Sequence, residues 1–296
     1  MFAPATRQRR KLRLALAGPS GSGKTYSALC MAAGLGGKVA LVDTERGSAS
    51  LYSDLVPFDV AEIEPPYTVG KYVAAIKSAG EAGYGVLVID SLSHAWAGEG
   101  GILETVDAVQ ARGGNKFVAW GPAGKAQNEL VNAILAAPMH VIVTMRSKQE
   151  YAVEQDARGK QTIRKLGMAP VQRDGLEYEF DVVLDIGQDH LARATGAGKD
   201  RTRLFAGQEP IALSAGDGAR LLAWLDQGEA AGPSVADLRG TIGGALKLRG
   251  WTVAQVAAAL ARHDATTADG VPASARAELI QLLAGDPPAA NSRPED

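Results

Sequence analysis

The sequence predicts an α/β fold: a mostly parallel sheet with helices on both faces, an antiparallel hairpin extension, and a small helical domain at the C-terminus. Three observations predict it. Short apolar runs alternate with stretches of helical period from residue 12 to about residue 226. A glycine-rich turn, GPSGSGKT at Gly18–Thr25, joins the first such run to the first such helix. Beyond residue 226 the alternation stops, and a linker leads into three helical stretches.

The first strand is LRLALA, Leu12 to Ala17, and the helix after the turn is KTYSALCMAAGLGG. Leu29, Met31, Ala32 and Leu35 recur at helical spacing, and Gly36 and Gly37 supply the stop. The turn fits G-x-x-x-x-G-K-[ST] without a mismatch, in the strand–loop–helix context that a phosphate-binding P-loop needs. Its glycines let backbone N–H groups face inward, and the helix N-terminus adds partial positive charge. Gly18, Pro19, Ser20, Gly21, Ser22, Gly23, Lys24, Thr25 and Tyr26 are therefore the expected nucleotide-binding residues. Lys24 places an ammonium on the outer phosphates of ATP, and the Thr25 hydroxyl is a ligand for Mg2+.

A second metal-side acid is expected at the end of another buried strand. GVLVIDSLSHAW supplies it: Val86–Ile89 is apolar and Asp90 closes the run, a Walker B pattern. Many P-loop ATPases carry a catalytic glutamate directly after that aspartate, but here the position is Ser91. Hydrolysis still needs a base or a water-positioning group near the γ-phosphate. The strand KVALVD ends in Asp43, Thr44 and Glu45, and strand ends of such sheets open onto one ligand crevice. Glu45 is the candidate to orient the attacking water, with Asp43 as a supporting acid. The alternative is that both acids cap the following stretch, SASLYSDL.

The remaining elements follow in order. DVAEIE is a short strand and YTVGKYVAAIKSAGEAG an amphipathic helix. ILETVDAVQAR and KAQNELVNAILAAP are two more helices, the second ended by Pro138 before the strand HVIVTM. Residues 146–173 then show little periodicity and hold seven basic residues against three acids, +4 in a chain of net charge −2. Such a long irregular stretch is usually functional or mobile. Arg158, Lys160, Arg164 and Lys165 are its candidate contacts to DNA phosphates, and Tyr151 can stack on a base. The same string also fits a solvated hairpin turning at Arg158–Gly159. QARGGNKFVAW, with Arg112, Lys116 and Trp120, is a weaker second candidate in which Trp120 serves the core. YEFDVVLDIGQDHLARAT is a hairpin turning near Gly187 and Asp189. The expected domains are residues 1–226 as the core, 227–233 as linker, 234–285 as the helical domain and 286–296 as a disordered tail. Ser234 with Asp237, and Thr252 with Gln255, have capping-box spacing.

In their order, GPSGSGKT, LVDTERG, VLVIDSLSHAW, HVIVTMRSK, YEFDVVLDI and GKDRTRLF resemble the motifs of the RecA-like recombinase family. The resemblance covers about residues 10 to 210 and is nearest to the phage-encoded RecA-like ATPases, described as AAA-family or single-strand annealing proteins. It implies a RecA-like P-loop NTPase core and Glu45 as catalytic glutamate. It implies a DNA-binding loop after HVIVTM, homo-oligomers in a filament or ring, and action on single-stranded DNA in recombination or annealing. It also implies that Lys199 and Arg201 of GKDRTR reach the γ-phosphate of a neighbouring copy, where the plain reading is an exposed hairpin end. The glutamine that senses nucleotide in RecA is missing from VTMRSK, leaving Thr144, Arg146 or Lys148 for that task. Phe2 and Ala5 match the F-x-x-A polymerisation pattern of eukaryotic and archaeal recombinases, a match short enough for coincidence.

Composition sets the outer limits. Hydrophobic residues are 46% and charged residues 22%, ordinary for a globular protein. With net charge −2, no global basic field recruits nucleic acid, and a binding site must be a local patch. Cys30 alone cannot form an internal disulfide, so a reducing cytosol, that of the host bacterium for a phage protein, is the expected compartment. The Arg-rich start precedes an apolar run too short for an export signal. Two function classes remain: a DNA-stimulated ATPase, with a single-strand-binding protein as a possible partner of its helical domain, and a partner-controlled P-loop switch such as a helicase loader or KaiC-like regulator.

Overall fold

The computed structural model of the chain describes residues 7–113, 115–155, 161–194, 199–228 and 235–288. The chain divides into a larger unit, Arg10–Gln227, and a smaller one formed by the described residues of Met1–Arg9 and Gly228–Asp296. Arg158, Lys160, Phe2, Ala5 and Ser234, singled out above, lie outside the described residues.

In the larger unit, β1 (Arg13–Gly18) leads into α1 (Lys24–Leu35). Then come β2 (Val39–Asp43), β3 (Asp59–Glu62), α2 (Val69–Glu81), β4 (Val86–Asp90), α3 (Ser93–Ala97), α4 (Ile102–Ala111) and α5 (Lys116–Ala136). The unit closes with β5 (His140–Gln155), β6 (Gln161–Pro170), β7 (Val182–Ile186), β8 (Ala192–Arg193) and α6 (Ala215–Leu225). The strands lie in the order β3-β2-β4-β5-β1-β7-β8, with β6 paired to β5. Neighbours from β3 through β7 run parallel, whereas β7–β8 and β5–β6 are antiparallel.

Both faces of this sheet are covered, which is why its strands are apolar throughout rather than alternating. Leu14 and Leu16 point to one side, with α1, α6, Val88 and Leu184. Ala15 and Ala17 point to the other, with Tyr72 of α2, Leu130 of α5, Ile89 and Val143. The α1–α6 contact is made at glycines. A Cβ on Gly34 would lie 1.9 Å from the Ala215 carbonyl oxygen, and one on Gly218 would lie 2.3 Å from that of Met31.

Polar groups at the lower end of the sheet are satisfied by two buried side chains. The Arg13 guanidinium donates to the carbonyls of Leu12, Leu135, Ala137 and Met139, so it takes up carbonyls at the C-terminus of α5. Its burial lowers its pKa to about 10. His140 Nδ1 accepts from the Leu12 backbone N–H at 3.1 Å, and burial holds this imidazole down at about 4, hence neutral.

Three expectations are corrected. Residues 146–155 and 161–170 are strand and not irregular loop: β5 and β6 pair antiparallel with a bulge between Glu150 and Tyr151, the two strands that the string also fitted. β7 is a strand of the parallel sheet beside β1, so only β8 is the antiparallel part of that hairpin. α5 begins at Lys116 rather than Lys125 and carries Pro122 inside it. A buried stripe of Ala119, Ala123, Leu130 and Ile134 on one face explains how packing overrides that proline.

The smaller unit holds α7 (Val235–Leu248), α8 (Val253–Ala261) and α9 (Ala273–Ala284). They enclose a core of Leu238, Leu279, Leu283 and Trp251, whose indole donates to the Gly285 carbonyl. Thr252 and Gln255 form the expected capping box of α8. Among the described residues, no helix is long and apolar enough to cross a membrane.

The α1–α6 contact yields a prediction. On an isolated helix Gly→Ala gains about 0.5–1 kcal/mol, but at Gly34 the added methyl meets backbone, and overpacking costs about 1–3 kcal/mol. Gly34→Ala should therefore lower the urea midpoint of the core, whereas Gly70→Ala on α2, with nothing within 4 Å of its Cβ, should leave it level or raise it.

Candidate functional site

The glycine-rich turn leaves β1 at Gly18, where a Cβ would lie 2.5 Å from the Ile186 carbonyl oxygen and 2.6 Å from Ser22 Oγ. Gly21 and Gly23 take φ of 77° and 85°, the left-handed region that favours glycine. Gly23 starts α1, and its carbonyl accepts the Ser27 N–H at 2.9 Å. The turn thus wraps the helix N-terminus, as the motif demands. Lys24 is 9% exposed and its Nζ donates to the Pro19 carbonyl at 2.8 Å. Burial pushes its pKa down, against the upward pull of Asp90 and Glu45. An ammonium so placed gains from an anion in the turn.

Asp90 ends β4 at 2% exposure. Thr25 Oγ1 donates to its Oδ2 at 2.5 Å, and Thr144 Oγ1 from β5 donates to its Oδ1. Burial raises the Asp90 pKa, and those two hydroxyls pull it back. A threonine hydroxyl and a carboxylate meeting at the start of α1 are hard oxygen donors, and they fit Mg2+ as this site would hold it.

Asp43 and Glu45 part company. Asp43, 1% exposed, accepts the Glu45 N–H at 2.5 Å and the Ala49 N–H at 3.0 Å. It therefore caps the short 3-10 turn Ser48–Tyr52 and fixes the bend on which Glu45 sits. Glu45 instead turns outward and accepts from Arg146 Nη2 at 2.9 Å and Nε at 3.1 Å. Thr44, between them, is buried: its Oγ1 accepts the Ser91 N–H at 2.8 Å and lies 2.6 Å from His94 Nδ1. Tyr67 stacks on His94 with ring centroids 4.7 Å apart.

Ser20, Gly21, Gly23, Lys24, Thr25, Tyr26, Glu45 and Asp90 line one cleft of about 710 Å³. Gly18, Pro19 and Ser22 belong to the same turn without lining the cleft. Sequence reasoning missed several other lining residues, among them Leu51, Tyr52, His190 and Leu213. Tyr52 meets Tyr26 edge-on at 6.1 Å, giving the cleft an apolar end. His190 sits beside the turn, its Nδ1 3.2 Å from where a Gly23 Cβ would be. Leu51 and Tyr52 arrive on the 3-10 turn that follows Glu45, whereas His190 and Leu213 carry no signal in sequence because only the fold brings their segments to the cleft.

Lys199 and Arg201 do not join the cleft of their own chain. They flank the start of β7, where Val183 N–H donates to the Lys199 carbonyl and Arg201 N–H to that of Asp181. The P-loop lies at the opposite, C-terminal end of β1, which runs parallel to β7. Arg201 lies 3.5 Å from the buried Asp181 carboxylate, which also pairs with Arg10 at 2.7 Å. Arg164 and Lys165 fall on β6, opposite Ala152 and Tyr151 of β5. Among the described residues, no cluster of three or more His, Cys, Asp or Glu forms a metal site.

A parallel sheet covered on both faces, a P-loop at the end of one strand and a buried aspartate at the end of another define a P-loop ATPase domain. The chain belongs to the family described as AAA domain, whose model matches residues 10–214. A search of the curated proteins finds no match.

Thr144→Val keeps shape but removes one of the two hydroxyls on Asp90. Loss of a donor to a buried carboxylate should cost about 1–3 kcal/mol of core stability. It is the ionised form that loses its partner, so the folded pKa of Asp90 rises further. The deficit in urea unfolding should then be larger at pH 7 than at pH 4, where the carboxyl is more often protonated.

Proposed function

We propose that this AAA-domain ATPase is a RecA-like protein, phage-encoded and active in the cytoplasm of a bacterial host. In this reading it uses ATP and Mg2+ to act on single-stranded DNA in recombination or strand annealing. The backbone N–H groups of Gly21–Thr25 hold the phosphate chain, and Lys24 neutralises its outer charge. Thr25 and Asp90 would hold Mg2+, which when bound neutralises charge on the phosphate oxygens. The Glu45 carboxylate orients a water toward the terminal phosphate and accepts its proton. The bend capped by Asp43 sets the direction of that carboxylate.

The observation that carries the DNA reading is the continuity of β5. The strand begins within the sheet, passes Thr144 on Asp90 and Arg146 on Glu45, and continues, past the bulge at Glu150 and Tyr151, into the ribbon with β6. Its surrounding sequence is the +4 stretch of residues 146–173. A two-stranded arm rooted at the nucleotide links phosphate contacts outside to the cleft within. Lys199 and Arg201, remote from their own cleft, act in this reading on that of a neighbouring copy in a homo-oligomer. The helical unit then serves as the site for a partner such as a single-strand-binding protein.

Two measurements test the reading. Glu45→Gln should keep ATP binding and lose hydrolysis, since the amide preserves shape but cannot take a proton; normal turnover would remove Glu45 from the chemistry. Replacing Arg158, Lys160, Arg164 and Lys165 with Ala should weaken binding to a fluorescent single-stranded oligonucleotide. The plot of log affinity against log salt should flatten by about 0.7 for each lost contact, roughly 3 in all. Unchanged slope and affinity would take DNA off the ribbon, and the partner-controlled switch would become the better account.

A further inference from the structure

Glu45 stands on the bend after β2 and Arg146 lies on β5, and these strands are not neighbours, since β4 lies between them. Their side chains nevertheless meet at the mouth of the cleft that Lys24 lines. One oxygen, Glu45 Oε1, accepts both Nη2 and Nε of Arg146. The backbones behind the pair are tied down. Arg146 N–H donates to Ser93 Oγ at 2.9 Å and its carbonyl accepts Val171 N–H at 2.6 Å, while Asp43 holds the Glu45 N–H. The side chains themselves are 48% and 31% exposed. The pair is thus a weak, solvent-screened contact between rigidly mounted groups, of a kind that contributes a factor of about two to five.

A carboxylate oxygen engaged by a guanidinium is aimed at that group and not at a water. A terminal phosphate in the same cleft carries more charge than Glu45 and offers a guanidinium several oxygens in the geometry it favours. We propose that Arg146 is a positioning residue that exchanges partners. It holds Glu45 in a locked arrangement, passes to the terminal phosphate of a bound nucleoside triphosphate, and so releases Glu45 toward the water. A diphosphate lacks the competing group and leaves the lock closed. This inference rests on the nucleotide reading above and adds the device by which the cleft distinguishes triphosphate from diphosphate.

A four-protein cycle tests it: wild type, Glu45→Gln, Arg146→Ala and the double variant. Each is titrated with fluorescent ADP and with a fluorescent non-hydrolysable ATP analogue, both with Mg2+. Partner exchange predicts that Glu45→Gln tightens the ATP analogue about three- to fivefold when Arg146 is present, and by less when Arg146 is Ala, with no such difference for ADP. A fixed pair predicts the reverse. With Arg146 gone, an unscreened Glu45 repels the phosphate more, so its removal would help more in the Arg146→Ala background. Equal or larger tightening in that background overturns the lock. Failure of wild type to bind ADP overturns the nucleotide reading itself, so the two failures are distinct. Circular dichroism checks each fold, and Arg146→Gln, which keeps most of the side-chain stem, repeats the cycle if Arg146→Ala does not fold.

Discussion

The site is organised around one buried carboxylate. Asp90 sits at the end of a strand with almost no exposure, where an ionised group is unfavourable without partners. Its partners are two threonine hydroxyls, Thr25 from the first turn of α1 and Thr144 from β5. Those bonds form only when the P-loop helix, the Walker B strand and the strand between β4 and β1 are in register. The carboxylate thereby acts as a gauge of the assembled site. The carbonyl of the same residue accepts the Thr44 N–H at 2.7 Å, which brings the end of β2, and with it Glu45, to the same crevice.

Around that point the sheet does two jobs. Its alternating residues bury two separate cores, Leu14 and Leu16 toward α1 and α6, Ala15 and Ala17 toward α2 and α5. Its lower end disposes of backbone polar groups that strands and helices leave over. Arg13 takes four carbonyls and His140 one N–H. A buried cation among carbonyls is a tolerable arrangement because each donor on Nη1 and Nη2 finds an oxygen, although its Nε has no partner. At the upper end Asp43, Thr44 and Ser93 take up backbone N–H groups, and Glu45, Asp90 and Arg146 line one cleft.

β5 gives the architecture its directional character. It is hydrogen-bonded to β4 and β1 at its start and continues, past a bulge between Glu150 and Tyr151, into the pairing with β6.

Local sequence determined the elements and the P-loop chemistry. GPSGSGKT between a strand and a helix dictates a phosphate-binding turn because its glycines alone admit the required φ, and Asp90 and Glu45 stand out as acids at the ends of apolar runs. The basic stretch after HVIVTM was visible as charge, but its form was left between a loop and two strands, and the pairing of β5 with β6 decides for strands. Pro122 likewise marks a helix break in isolation, and a buried stripe along α5 carries the helix through it. Sequence offered Glu45 as the water-orienting acid and Asp43 as its support. Only the tertiary structure gave their partners, turning Asp43 inward to cap a bend and Glu45 outward to Arg146, 101 residues away. Which charges meet depends on strand order and on where each side chain points after packing, and neither is written in the spacing of residues along the chain.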